Sequence, residues 1–458
     1  MTGTTRRLAE WVRGLEYGDL PLEVCERTKD LILDQLGCEL ACADLPWSRI
    51  VSGHVERMCA QGRCTVVRFG IKTNPEYAAL ANGTFGHGFE IDDYHIPALS
   101  HPGCVAVPAA LSVAEQVGLD GRAVLLAVAI ASEIIVRMGL AAGASLVMER
   151  GFHETCVEGT IGAAAGLGRV LDLDADRIVN AVSIAGSHSS GTIEYGQSGG
   201  DVKRLHAGLG AMGGVRAVLL AQAGLTGPGT ILEGRRGIFQ AFANQYDLAR
   251  MTDDLGRVYE LMGVCFKPYA CVGLIHPQID AVGRLVRQHG VTAGDVEVIE
   301  VAADRFTLSH VGTVGPEPRD ITAAQCSAHF GLGMTVAWGA NDFRAYLEAW
   351  RTDFRDPAVL EVARRVRLYL DEEVDRAFPR RNATKVTIRT RDGRCLDERV
   401  EAARGTARDP LSRDEIVAKF MSLATTILPS GVVDHVVQTV MSLETQPDVS
   451  RLVALLVA

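Results

Sequence analysis

The sequence predicts a mainly α-helical protein with a second, smaller α+β domain, and three observations carry that prediction. Segments of helical period follow one another from the N-terminus to about Gly263, with hardly any alternating pattern among them. Alternation of polar and apolar residues sets in after Lys267. Helical signals return beyond Pro410. The corresponding division is 1–266 as a helical domain, 267–405 as an α+β domain, and 406–458 as a C-terminal piece that rejoins the helices.

Within the first region, apolar residues recur at helical spacing over 21–42, 105–116, 123–139 and 159–171. Small residues at Gly159, Gly162, Ala163 and Gly166, and again at Gly208, Ala211 and Gly214, are expected to let helix backbones approach closely. The most apolar stretch, 123–147, holds Glu133 and Arg137 four residues apart on one helix face, so it reads as a buried helix and not as a membrane span. In the middle region 295–303 (DVEVIEVAA), 385–390 and 395–400 alternate as strands, and Arg391-Asp392-Gly393-Arg394 supplies a hairpin turn. Helices are predicted over 276–289 and 322–338. Near the C-terminus Ser412 and Glu415 stand at capping-box spacing ahead of an apolar run.

Composition narrows the function classes. The 458 residues include 46 Lys and Arg against 56 Asp and Glu, a formal charge of −10, with no basic block. Nucleic acid and anionic membrane are therefore excluded as expected partners, and any anion must be held by a local basic cluster. A 47% hydrophobic and 22% charged composition excludes a mainly disordered chain. Eleven cysteines scattered from Cys25 to Cys395 do not make a disulfide framework. Glu10 and Arg13 precede any apolar run that would serve as an export signal, so a cytoplasmic location is expected.

Four clusters could carry chemistry. Three of the twelve histidines lie in HGFEIDDYHIPALSHPG at 87–103, with Glu90, Asp92, Asp93 and Tyr94 among them. Imidazoles and carboxylates so placed suit general acid–base work, whereas the bland reading is a solvated loop with a capping Asp. No HExxH or CxxC accompanies them, so no metal is expected. Gly151-Phe152-His153-Glu154 precedes the small-residue helix, where free N–H groups attract an anion; a capping histidine is the alternative. Lys203, Arg204 and His206 follow a Ser/Gly-rich loop and suit a polycarboxylate, against the plainer reading of an exposed helix start. Lys267, Tyr269 and Cys271, with His276 beyond, stand where the two domains should join, a common place for ligands. The run Gly208-Leu209-Gly210-Ala211-Met212-Gly213 fits GxGxxG formally, but no strand precedes it, so no dinucleotide site is expected.

Taken together, Asn82-Gly83 through His87, Asp92-Asp93, His101-Pro102-Gly103, Gly151-Phe152-His153, the 202–208 run VKRLHAG and Lys267-Pro268-Tyr269 resemble the MmgE/PrpD family over nearly the whole chain. The resemblance implies a large helical domain built from both chain ends, a smaller α+β lid domain, and a homodimer. It implies a cofactor-free enzyme acting on a small di- or tricarboxylate. The implied catalytic residues are Asp93, His101, His153, Lys203 and Lys267, with Glu90, Tyr94, Arg204, His206, Tyr269 and His276 as substrate-binding residues. Glu90 and Tyr94 stand where the family usually carries Asp and Thr, and Val272 replaces a polar residue; each reshapes the expected pocket.

Chemically, removing a proton next to a carboxylate builds a second negative charge on an anionic group. Lys203, Arg204 and Lys267 suit that charge, and His101 and His153 are the candidate acid–base pair. The expected activity is a lyase that eliminates water or carbon dioxide from a 2-methylcitrate-like or aconitate-like acid. The alternatives are an isomerase or epimerase that returns the proton, and a catalytically silent carboxylate-binding relative.

Overall fold

A computed structural model describes residues 3–458, apart from the side chain of Gln197. Two compact units divide it. The first holds the chain up to Gly88, Asp92–Val264 and Ser412–Ala458; the second holds Phe89–Ile91 and Cys265–Leu411.

In the first unit the helices are α1 (Thr4–Gly14), α2 (Leu22–Cys42), α3 (Pro46–Met58), α4 (Pro75–Gly86), α5 (Gly103–Val117), α6 (Gly121–Ala142), α7 (Glu154–Val170), α8 (Ala175–His188), the single turn α9 (Tyr195–Ser198), α10 (Val202–Gln222) and α11 (Ile238–Phe242). A small antiparallel pair, β1 (Cys64–Val66) and β2 (Ile71–Thr73), sits between α3 and α4. Three residues per strand leave too short an alternation for the sequence to reveal it.

Helix α6 is long and apolar enough to cross a membrane, yet 89% of its most apolar window is buried inside the protein. Its two charges are satisfied internally. Nε of Arg137 donates to Glu133 at 2.6 Å, its other nitrogens donate to the carbonyls of Arg250, Asp253 and Val258, and Glu133 also accepts the Leu261 N–H. A buried pair needs such extra hydrogen bonds to offset desolvation.

The small residues do what their spacing predicts. A Cβ at Gly166 would lie 2.4 Å from the Ala127 carbonyl on α6, one at Gly214 2.4 Å from Cβ of Ala163 on α7, and one at Gly208 2.2 Å from the Leu80 carbonyl on α4. The GxGxxG run is the middle of α10 and no strand leads into it.

The C-terminal helices α19 (Arg413–Ala424), α20 (Ser430–Met441) and α21 (Ser450–Ala454) belong to this same unit. Ser412 and Glu415 form the expected capping box at α19. Ion pairs of Arg413 with Asp30 and Glu26, and of Lys419 with Asp34 at 2.6 Å, fasten α19 to α2.

In the second unit the elements are α12 (His276–His289), β3 (Val296–Ala303), α13 (Arg305–His310), α14 (Ile321–Cys326), α15 (Ala328–Ala337), α16 (Phe343–Arg351), α17 (Pro357–Ala363), β4 (Val366–Leu370), α18 (Glu372–Ala377), β5 (Thr384–Thr390) and β6 (Cys395–Val400). The sheet runs β4-β3-β5-β6. β3 pairs with β4 in parallel and with β5 antiparallel, and β5 and β6 form the predicted hairpin, Arg389 opposite Cys395. Helix α12 packs on β5 and β6 through an amphipathic face that buries Ile279, Val282 and Leu285.

Two expectations are corrected here. The helix expected over 322–338 is broken at Ser327, which adopts an extended conformation and caps α15 by accepting the Phe330 N–H on its Oγ. Strand β4 was not expected at all; its sequence, VRLYL, lies beside Arg364 and Arg365 and is largely exposed after Val366.

Candidate active site

The 87–103 loop is a folded, buried structure, not a solvated one. Helix α4 ends at His87, whose N–H bonds the Gly83 carbonyl. Asn82 anchors that last turn by accepting the Val67 N–H and donating to the Thr65 carbonyl. At the far end Asp93 caps the start of α5: both its carboxylate oxygens, at 3.1 and 3.0 Å, accept the Gly103 N–H. A Cβ at Gly103 would lie 2.3 Å from Asp93 Oδ1, so the residue there must be glycine for the cap to close.

Asp92 is the hub. Its Oδ2 lies 2.6 Å from Nδ1 of His87 and 3.1 Å from Nδ1 of His101. His101 Nδ1 also faces the Asp93 carbonyl at 2.7 Å. Carboxylate and carbonyl oxygens only accept, so Nδ1 carries the hydrogen in both rings. The rings are 4.9 Å apart, edge to face. This is the arrangement in which a carboxylate fixes an imidazole's tautomer and orientation for proton transfer.

A second imidazole pair lies beside the first. His153 is the N-cap residue of α7, and its Nδ1 is 2.9 Å from Nδ1 of His206 on α10. One of those nitrogens donates and the other accepts. His153 is 5.7 Å, ring to ring, from His87, and the Tyr195 ring stands 5.4 Å from His153 and 5.9 Å from His206. The Lys203 charge is felt at both His87 and His206.

Burial sets the protonation states. It pushes His87 down to about 4 in spite of Asp92, and His206 down to about 4 with help from the charges of His87 and Lys203. His153 is pushed well below the usual range by burial and by its three histidine neighbours. Carboxyls move the other way. Burial, then the neighbouring Asp92 charge, raises Asp93 to about 7, and burial raises Glu154 to about 7 against the pull of His101. Glu158, one turn further along α7, is raised well above the usual range by burial and by Glu154. The cluster thus holds groups on both sides of neutrality, the condition for acid and base roles at one pH.

The remaining expected residues divide between the units. Tyr94 is buried in the first. Arg204 is also buried there, its guanidinium 4.2 Å over the Trp47 ring and its Nε donating to the Gly88 carbonyl at 3.0 Å. In the second unit Lys267 donates to Glu90 at 3.1 Å, and Glu90 has the left-handed φ of 57°. Tyr269 donates to Asp280 at 2.6 Å, with its ring edge to face on His276, whose Nε2 donates to the Cys271 carbonyl. Burial, then Asp280, pushes Tyr269 up.

Sequence reasoning placed His87, Asp92 and Glu154 in its clusters without giving them a role, and did not name Glu158 or Tyr195. For Asp92 the signal was half present: adjacent acids in an irregular loop are visible, but which one faces the histidines depends on the loop's dihedrals. His87, Asp92 and Cys104 bring ligand-type atoms within 4.8 Å of one another. Asp92 is engaged by the two imidazoles, and Sγ of Cys104 donates to the His101 carbonyl.

Comparison with known proteins gives a consistent match along the chain. The profile of the MmgE/PrpD N-terminal domain matches residues 6–251, and that of the MmgE/PrpD C-terminal domain matches residues 269–444. A cis-aconitate decarboxylase of Aspergillus terreus is 28% identical over 99% of this chain and 96% of its own length. The cis-aconitate decarboxylases of Homo sapiens and Mus musculus are 27% and 25% identical, covering 99% and 100% of this chain and 94% of each relative.

Proposed function

The chain belongs to the MmgE/PrpD family, and on that premise we propose that it is a lyase that removes carbon dioxide from a cis-aconitate-like tricarboxylate without a cofactor. One observation supports the reading above all: His101, its Nδ1 held by Asp92 and the Asp93 carbonyl, shares a buried cluster with the His153–His206 pair beside the Lys203 charge. The names of the relatives supply the substrate class.

The chemistry asks for those parts. As the C–CO2 bond breaks, its electron pair forms a new double bond, and the pair of the old double bond takes a proton at the far carbon. One proton is consumed per turnover. Charge accumulates meanwhile on the carboxylate next to that carbon, where a fixed ammonium group is most effective. In this reading Lys203 meets the charge, His101 or His153 supplies the proton through Nε2, and Asp92 and Asp93 position His101.

Incubating the protein with cis-aconitate in deuterium oxide and following it by NMR tests the reading. Loss of carbon dioxide with one deuterium incorporated per product is expected. A second reading, an isomerase or epimerase, draws on the two histidine systems being held independently; deuterium entering without net loss of carbon would favour it. No reaction with cis-aconitate or 2-methylcitrate would favour a carboxylate-binding relative. Dialysis against a chelator is expected to leave turnover unchanged, and loss restored by one added metal would overturn the cofactor-free part.

A further inference from the structure

His153 poses a chemical difficulty. It is 2% exposed, surrounded by other histidines, and poorly suited to carrying a full positive charge. A neutral imidazole, however, is a very weak acid. The side chain that resolves this is within hydrogen-bond distance: Nδ1 of His206, at 2.9 Å.

We propose that His206 is the proton-exchange partner of His153, receiving or giving the Nδ1 proton at the moment Nε2 of His153 gives or receives one. The proposal rests on the reading that His153 handles a substrate proton. In the decarboxylating direction, the Nδ1–H of a protonated His206 moves to Nδ1 of His153 while the Nε2–H of His153 passes to the substrate carbon. The C–CO2 bond breaks and its electrons enter the carbon skeleton. Both rings end neutral. When the next substrate binds, solvent returns a proton to Nε2 of His153 and the shared proton moves back to Nδ1 of His206, so the cycle takes one proton from solvent. Burial holds His206 at about 4 in the free protein, so the extra proton enters the pair together with the polyanionic substrate, whose negative charge favours it.

The surroundings of His206 suit this role. Its ring packs on Gly191, where a Cβ would lie 3.3 Å from Nδ1, and on Tyr195. That segment continues outward, with Ser190, Thr192 and Glu194 exposed. The titratable and charged groups facing His206 are His153 from α7, Tyr195 from α9, His87 from the end of α4, and Lys203 on its own helix.

Two variants and one spectrum test it. His206→Gln keeps a hydrogen-bonding group but cannot exchange a proton; kcat on cis-aconitate should fall on the order of 10²-fold with KM nearly unchanged. The wild-type rate plotted against deuterium fraction should curve, reporting two protons in flight, and that of the variant should be linear. His206→Ala should regain activity with added imidazole. A normal kcat in His206→Gln, or a raised KM alone, would overturn the exchange role and leave His206 as a substrate contact. Nitrogen-15 NMR of the resting protein should show one proton shared between the two Nδ1 atoms, a signature lost in His206→Gln. That spectrum is read without turnover, so a wild type inactive on tricarboxylates would sink the proposed function alone, and two separately protonated Nδ1 atoms would sink the pair.

Discussion

The imidazole of His101 is held at Nδ1 and, in the proposed reaction, transfers a proton at Nε2, which makes its removal informative. Its side chain is 13% exposed and packs at a turn between the acid loop and α5, not in the apolar core. His101→Ala should therefore cost on the order of 10²- to 10⁴-fold in kcat while moving the melting temperature little. Near-normal turnover would remove it from the chemistry, and collapse of both quantities would make it structural. Lys267 is a different case. Its ammonium is buried with Glu90, their side chains 1% and 9% exposed. Lys267→Met removes the ammonium that Glu90 is paired with and should destabilise by about 3–5 kcal/mol, while Lys267→Met with Glu90→Leu should recover most of that loss. Urea unfolding of the single and double variants checks it; equal losses in both would break the coupling. At this scale the sequence reveals residue types and misses assignments. It marks His101, His153 and Lys203, yet it has no means of telling that Asp92 takes the imidazoles while Asp93 spends its carboxylate on a backbone N–H. Two neighbouring acids in a loop differ only in dihedral angles, and those follow from tertiary packing.

Among the elements, close helix contact was legible because it leaves a spacing behind. Glycines at one face of α7 and α10 place backbone against backbone, and a Cβ at Gly208 would come 2.2 Å from the Leu80 carbonyl and 2.4 Å from Thr84 Oγ1. Gly208→Ala should thus destabilise by about 1–3 kcal/mol through overpacking, although alanine is the better helix former by about 1 kcal/mol. Gly14, where nothing lies within 4 Å of an added Cβ, is the control. Thermal unfolding of the two alanine variants decides the matter, and a stabilised Gly208→Ala would mean that α4 and α10 are not in contact as described. The hairpin of β5 and β6 and the capping box at Ser412 were equally legible, since each is written in a few adjacent residues. The break at Ser327 and the strand β4 were not. A serine inside an apolar helical run looks tolerable until its Oγ is seen donating to the Gly315 carbonyl at 2.8 Å while accepting the Phe330 N–H. β4 owes its existence to a parallel partner 67 residues earlier (Ile299 beside Val366), and no local pattern encodes that pairing.

On the scale of the whole molecule, the buried titratable groups pull stability in opposite directions with pH. Burial holds His87, His95 and His206 at about 4, against 6.5 when exposed, so the unfolded chain takes up their protons first and stability is lost as pH falls from about 6.5 toward 4. Burial raises Asp93 and Glu154 to about 7 and Glu39 to about 8, so the folded chain keeps those protons longer and stability falls as pH rises from about 4 toward 7 or 8. The two sets oppose each other over the acidic window. Above about pH 6.5 the histidines are neutral in both states, and only the carboxyls still act. Stability should therefore decline from about pH 6.5 toward pH 8. Glu39 is the group to remove, because it is fully buried on α2, bonded among the described residues only to Gln35 at 3.2 Å, and stands outside the histidine cluster. Glu39→Gln should flatten the decline by about 1.4 kcal/mol for each pH unit between about 6.5 and 8. Urea midpoints measured at constant ionic strength across that range test it: curves for the two proteins that run parallel would mean that Glu39 ionises in the folded state as readily as in the unfolded one.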